Sequence, residues 1–152
     1  MIVGGSVKMP FMTHPTIDLS FLRNALSQLE EALEFWHAQA DSSPLKRHLR
    51  SAVIQSFEFS YELSVRMLRR VLVERVASAD MVTDLSFNDL LRKGADAGLV
   101  ADPMQWRRWR DMRNATSHTY DEDRANEVAH GAELFVADAR RLLALMEKTL
   151  ED

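Results

Sequence analysis

The sequence predicts an all-α fold, an up-down antiparallel bundle of four main helices plus one short helix. Three observations carry that prediction. Apolar residues recur at steps of three and four through long segments, the signature of one-sided helices. Gly and Pro are few, five and four in 152 residues, too few for a turn-rich β architecture. A short polar side chain followed by Pro, a helix-start signal, recurs where the stripes break.

Residues 1–15 have no periodicity, and Gly4-Gly5-Ser6, Pro10 and Pro15 read as a flexible N-terminal tail. Residues 16–152 read as a single helical domain. The first helix is expected from about Asp18, which can cap it, to His37. Its stripe is Leu19, Leu22, Leu26, Leu29, Leu33 and Trp36. Ser43 as cap and Pro44 at the first helical position restart the chain.

The second and longest helix is expected from Pro44 to about Ser78. One stripe is Ile54, Phe57, Tyr61, Val65, Leu68 and Leu72, and another is Phe59, Leu63, Met67 and Val71. Gln55, Glu58, Glu62, Arg66 and Arg69 lie between them. A helix apolar on two faces is either central in a bundle or shared with a partner subunit, and the second reading is a first hint of a homodimer. After a loop at Asp80–Asp84, a short helix spans Ser86 to Ala97, with Phe87, Leu90, Leu91 and Ala95 inward and Gly98 ending it. Asp102-Pro103 starts the fourth helix, whose inner face is Trp106, Trp109, Met112 and Thr116. The last helix runs from about Asp121 to Leu150, its stripe passing through Ala125, Val128, Ala132, Phe135, Ala139, Leu142, Met146 and Leu150. Thr119-x-x-Glu122 matches a capping box at its start.

Composition narrows function. The chain has 19 Lys and Arg against 23 Asp and Glu, a net charge of −4. An acidic protein is no general polyanion binder, so any nucleic-acid contact needs a local basic patch. Cys is absent, which excludes disulfides and thiolate zinc sites and suits a reducing cytoplasm. No apolar run is long enough to span a bilayer, and no signal peptide is expected.

The densest chemistry is Arg113-Asn114-Ala115-Thr116-Ser117-His118-Thr119-Tyr120. Between Arg107 and His118 stand four Arg and one Asp, a local charge of +3. These residues suit a phosphate-binding patch beside a histidine, with Arg110, Arg113 and Ser117 as the phosphate contacts. By composition and periodicity alone they suit helix electrostatics better, cations at one helix end and acids at the next start. On a regular helix Asn114 and His118 share a face, while Arg113 and His118 diverge by about 140°. Convergence needs a helix that ends near Ser117, or a second subunit. The other histidines, His14, His37, His48 and His130, lack ligand-like spacing, and no cofactor or metal motif is present. Glu58 and Glu62 have no paired Glu-x-x-His, and Glu62–Arg66 reads as a surface pair.

Arg113-x4-His118-x-Tyr120, followed by Asp121-Glu122, resembles the hallmark of the HEPN superfamily of small all-α proteins. Ile54-Gln55-Ser56-Phe57-Glu58 and Ala97-Gly98-Leu99-Val100-Ala101-Asp102 agree with it. The resemblance covers about residues 18–150 and is nearest to the nucleotidyltransferase substrate-binding branch, whose members pair with a separate minimal nucleotidyltransferase. The chain departs from that branch at Val65-Arg66, where members often carry Trp-Lys; the charge is kept and the ring lost. The resemblance implies a dimer whose two Arg–His elements line a shared cleft that takes nucleotide or RNA. Many HEPN proteins are metal-independent endoribonucleases and toxins. By position, His118 would be the general acid/base, Arg113 would hold the scissile phosphate, and Asn114 would orient one of them. In paired systems the transferase can adenylylate the motif tyrosine, here Tyr120. Two functions follow as expectations. One is the substrate-binding subunit of a two-component, toxin–antitoxin-related module. The other is an active endoribonuclease using Arg113 and His118. The chain carries no Gly-Ser loop with Asp-x-Asp, so it is not expected to be a nucleotidyltransferase itself.

Overall fold

The computed structural model describes residues 17–75, 82 and 84–151, so the expected tail and the expected end of the second helix at Ser78 lie outside the described residues. Five α-helices are described: α1 (Ser20–Ala38), α2 (Pro44–Arg75), α3 (Phe87–Asp96), α4 (Pro103–Ala115) and α5 (Glu122–Glu151). One 3-10 turn, Thr116–His118, joins α4 to the approach of α5, and the described residues contain no strand.

The helix ends follow local chemistry. Asp18 Oδ1 accepts the Ser20 N–H at 2.9 Å at the entry to α1. Ser43 Oγ accepts the Leu45 N–H at 3.2 Å beside Pro44. Ser86 caps α3 through the Asp89 N–H, and Asp102 caps α4 through the Gln105 N–H. Gly98 ends α3 at φ +78°, a conformation glycine reaches without a Cβ clash, and the Leu99 and Val100 N–H groups then reach the Gly94 carbonyl. Gly94 itself is required by packing: a Cβ there would lie 2.6 Å from Val100 Cγ2.

The expected capping box at Thr119 and Glu122 does not form. Thr119 Oγ1 donates to the Thr116 carbonyl and closes the 3-10 turn. Asp121 caps α5 instead, accepting from the Asp123 N–H at 2.9 Å. Glu122 is drawn to Arg50, whose Nη1 donates to it at 2.7 Å. The tight turn carries the chain two residues further before the helix begins, and a charged partner outweighs a local cap.

Ion pairs show the helix directions. Arg23 pairs with Glu147, Arg140 with Glu30, and His37 with Glu133, so α1 and α5 are antiparallel. Arg50 meets Glu122 and Arg75 meets the Leu150 carbonyl, so α2 and α5 run the same way. Trp109 meets Asp138, while Met112 lies against Gly131, so α4 opposes α5. Up, down, up, down is therefore the path of α1, α2, α4 and α5, with α3 inserted in the α2–α4 connection. The fold is the expected all-α bundle.

The predicted stripe of α1 is buried throughout, and so is that of α5 apart from its half-buried last residue. At the centre, Phe135 is fully buried and meets Phe57, Trp109 and Trp106 edge to face, with centroids 5.0, 5.6 and 5.8 Å away. Trp109 Nε1 donates to Asp138 at 2.8 Å, which satisfies the one polar atom of that ring. Leu63, Met67 and Val71 of α2's second stripe are buried within the single chain, so two apolar faces here mean a central helix. Only Phe59 of that stripe remains exposed, at 54 %. No helix among the described residues is long and apolar enough to cross a membrane.

Candidate functional site

The residues of interest sit where α4 loses its helical geometry. α4 ends at Ala115 and the next three residues tighten into the 3-10 turn. Thr116 makes that turn: its hydroxyl donates to the Arg113 carbonyl at 2.7 Å and accepts from Arg113 Nη1 at 3.1 Å. Ser117 Oγ donates to the Asn114 carbonyl at 3.0 Å. These are side-chain substitutes for the intrahelical bonds that a helix end leaves open.

Arg113 is anchored from a distant part of the chain. Its Nη2 and Nε donate to Glu62 Oε1 at 2.7 and 3.1 Å, and its Nη1 lies 3.3 Å from Glu58 Oε2. Glu58 and Glu62 stand one turn apart on α2, so they present two carboxylates on one face. Glu62 thus serves Arg113, and the surface pair with Arg66 expected from spacing is absent among the described ion pairs. The reason is geometric: a guanidinium fork from a neighbouring helix offers two aligned donors to one oxygen, which a same-helix arginine does not match.

Asn114, Ser117, His118 and Tyr120 are all exposed, Tyr120 at 84 %. His118 and Tyr120 meet edge to face, with ring centroids 6.1 Å apart. Arg113 bonds to Glu62 and Thr116, and it shares no hydrogen bond with His118 among the described residues. Arg110 stacks its guanidinium over Phe87, 4.9 Å from the ring centroid, and lies beside Asp111. A cavity of about 260 Å³ opens beside the turn, lined by Arg50, Ser51, Ile54, Gln55, Glu58, Thr119 and Ala125. Among the described residues no group of three His, Cys, Asp or Glu is placed to hold a metal ion.

Tyr61 lies under this patch, buried, with Arg110, Arg113, Asp111 and Glu62 as its charged neighbours. Burial pushes its phenol up to about 12, and the two guanidiniums only partly oppose that. The folded state therefore favours the neutral phenol. Its stability contribution is full below pH 10, the ordinary tyrosine value, and is lost as pH rises toward about 12. In a Tyr120→Phe variant Tyr61 is the one tyrosine of the chain. Its ultraviolet phenolate signal is expected to rise near pH 12 in folded protein; a midpoint near pH 10 with the fold intact would contradict the burial.

Several functional candidates were invisible to sequence spacing. Glu58 and Glu62 reach Arg113 across 55 and 51 residues. Arg50 crosses 72 residues to Glu122 and 76 to Asn126. Its hydrogen bond and charge hold the Glu122 carboxyl below the usual carboxylate range. His37 and His130 both approach Glu133, at 2.9 and 3.8 Å, and both rings pack against Trp36.

Comparison with known proteins places this arrangement in a family. The family model described as nucleotidyltransferase substrate binding protein like matches residues 17–148. A Haemophilus influenzae protein named probable ribonuclease HepT is 40 % identical over 95 residues, 62 % of this chain. That match spans 65 % of the relative, just under two thirds of its length. An uncharacterized Caenorhabditis elegans protein is 37 % identical over 95 residues, 55 % of this chain and 12 % of that one. A solved Haemophilus influenzae structure, described as revealing the fold of a substrate binding domain of a nucleotidyltransferase, superposes with a TM-score of 0.75 at 31 % identity. It covers 86 % of this chain and 99 % of that one. A Thermus thermophilus protein shares the fold, with a TM-score of 0.65 at 24 % identity over 82 % of this chain and 98 % of that one. With a family match running through nearly the whole bundle, the chain belongs to the nucleotidyltransferase substrate binding protein like family.

Proposed function

We propose that the chain is the substrate-binding half of a two-component nucleotidyltransferase module, a cytoplasmic homodimer that takes a nucleotide or RNA at residues 113–120. The observation that carries this reading is the contrast within the turn. Asn114, Ser117, His118 and Tyr120 are open to solvent, while Arg113 is held in position beside them by Glu58 and Glu62. A positioned guanidinium next to exposed hydroxyls and an imidazole suits a phosphate. Arg110, Arg113 and Ser117 are the phosphate contacts of this reading. In this reading a second copy sets its own Arg113 and His118 across a shared cleft from the first. Tyr120 is exposed enough for a partner nucleotidyltransferase to adenylylate it, which would set a bulky anion beside Arg113.

Binding of a labelled short RNA, followed by fluorescence anisotropy, tests the reading. Arg113→Ala is expected to weaken binding, and equal affinity of variant and wild type would remove residues 113–120 from the interface. The two glutamates compete with phosphate for Arg113. The double change Glu58→Gln with Glu62→Gln is therefore expected to tighten RNA binding, by roughly fivefold for about 1 kcal/mol of partly exposed ion pairing. Weaker binding in that variant would show that the carboxylates only position the arginine.

A second reading is favoured by the relative named probable ribonuclease HepT. In it the same turn is a metal-independent endoribonuclease, with His118 as general acid/base, Arg113 on the scissile phosphate and Asn114 orienting one of them. The adenylylating partner would then act as its antitoxin.

A further inference from the structure

A second, larger cavity opens between the end of α1, the α1–α2 turn and the start of α5. It measures about 770 Å³, and its walls include His37, Lys46, Arg47, Arg50, Glu122 and His130. That volume falls within the range of roughly 300–1,000 Å³ typical of small-molecule sites. None of Arg113, Asn114, Ser117, His118 or Tyr120 lines it. Three cations, Lys46, Arg47 and Arg50, face two acids, Asp41 and Glu122, in a protein of net charge −4.

Arg50 is the unusual member, only 9 % exposed. Its Nη1 donates to Glu122 and Asn126, at 2.7 and 3.0 Å. Its Nε is sealed from water with no hydrogen-bond partner, whereas its Nη2 is not among the sealed atoms and donates to no described residue. Nη2 is thus a donor left free for an anionic acceptor, while the sealed Nε lies beyond a ligand's reach. The Arg47 side chain has no ion-pair or hydrogen-bond partner among the described residues, and its charge helps keep Glu122 ionised.

The opposite wall is aromatic. His37 and His130 each pack against Trp36 with centroids 4.9 Å apart, and the Lys46 ammonium stands 4.8 Å from the Trp36 ring centroid. The imidazoles remain open, with side chains 46 % and 66 % exposed. Flat imidazole faces accept a stacked base, and a guanidinium fork accepts a phosphate.

We propose that this cavity is a second ligand site, for a nucleoside monophosphate. Its phosphate would bind Arg47 and Arg50 Nη2, and its base would lie against His37 and His130. The site uses none of the residues of the 113–120 turn and stands whether or not that turn acts on RNA. The test is a titration of the full chain with AMP, followed by the imidazole C–H resonances of its five histidines. The His37 and His130 signals are expected to shift and saturate together, and to do so equally in an Arg113→Ala variant, whether or not His118 also moves. Adenosine is expected to bind at least roughly tenfold more weakly, and Arg47→Ala to weaken AMP by about the same factor, as loss of a charged phosphate contact does. Arg47 is exposed, so this variant should retain the fold. Unsaturable shifts, or shifts confined to His118, would overturn the proposal. So would adenosine or inorganic phosphate binding as tightly as AMP.

Discussion

If the turn acts as a ribonuclease, the second reading above, His118→Ala is expected to remove metal-independent RNA cleavage, lowering the rate by roughly 10²–10⁴-fold, the usual contribution of a positioned acid/base group. The measurement is degradation of a mixed RNA pool in the presence of EDTA, wild type beside variant. His118 is exposed on the 3-10 turn, and among the described residues Tyr120 is the aromatic ring beside it. Its removal should change stability by no more than about 0.5 kcal/mol, so lost activity would not reflect lost fold. An imidazole is suited to taking the 2′-hydroxyl proton near neutral pH, and Arg113 to stabilising the charge that develops on the phosphorus oxygens. If wild type cuts and the variant does not, the ribonuclease reading holds and a nucleotidyltransferase partner becomes its regulator. Wild-type protein that is folded and dimeric but leaves the RNA intact would sink that reading and leave the substrate-binding one standing.

Phe135→Ala is expected to destabilise the bundle by about 3–5 kcal/mol, the range for removing a fully buried phenyl ring. That is a large part of the roughly 5–15 kcal/mol that holds a domain of this size together. The ring is completely enclosed and meets Phe57 of α2 and Trp106 and Trp109 of α4 edge to face. Its deletion leaves a hole bounded by three helices, which cannot all close on it at once. Urea unfolding of wild type and variant gives the difference directly. A loss below about 1 kcal/mol would mean that the rings repack and that the cluster is no keystone. The consequence reaches the turn. Phe135 seats α4 against α2, and this seating brings Arg113 to Glu58 and Glu62. A weakened variant should therefore also bind RNA less well.

Much of this molecule is legible in its residues taken singly or a turn apart. The leucine stripe from Leu19 to Trp36 identifies the buried side of α1, because periodicity of 3.6 residues is a property of one helix. Ser43-Pro44, Ser86, Gly98 and Asp102-Pro103 mark helix ends, because a cap bonds within three or four residues of itself. The motif from Arg113 to Tyr120 is legible as a family hallmark in the same local sense, and the family match agrees with it.

What the sequence by itself determined was therefore the helical class, most of the boundaries, the inward faces and the family. Only the tertiary structure decided what covers each face and what each charge meets. Phe59, Leu63, Met67 and Val71 looked like a possible partner surface, yet all but Phe59 are covered by the chain's own helices. Glu62 looked paired with Arg66 and is instead paired with Arg113, while Glu122 left its expected cap for Arg50. Two isolated histidines, 93 residues apart, turned out to share Trp36 and one wall of a cavity. The physical reason is common to all of these. A helix's own periodicity sets which residues share its face, but the offset and rotation between helices set which faces meet. Those depend on how bulky side chains such as Phe135 interlock across the core.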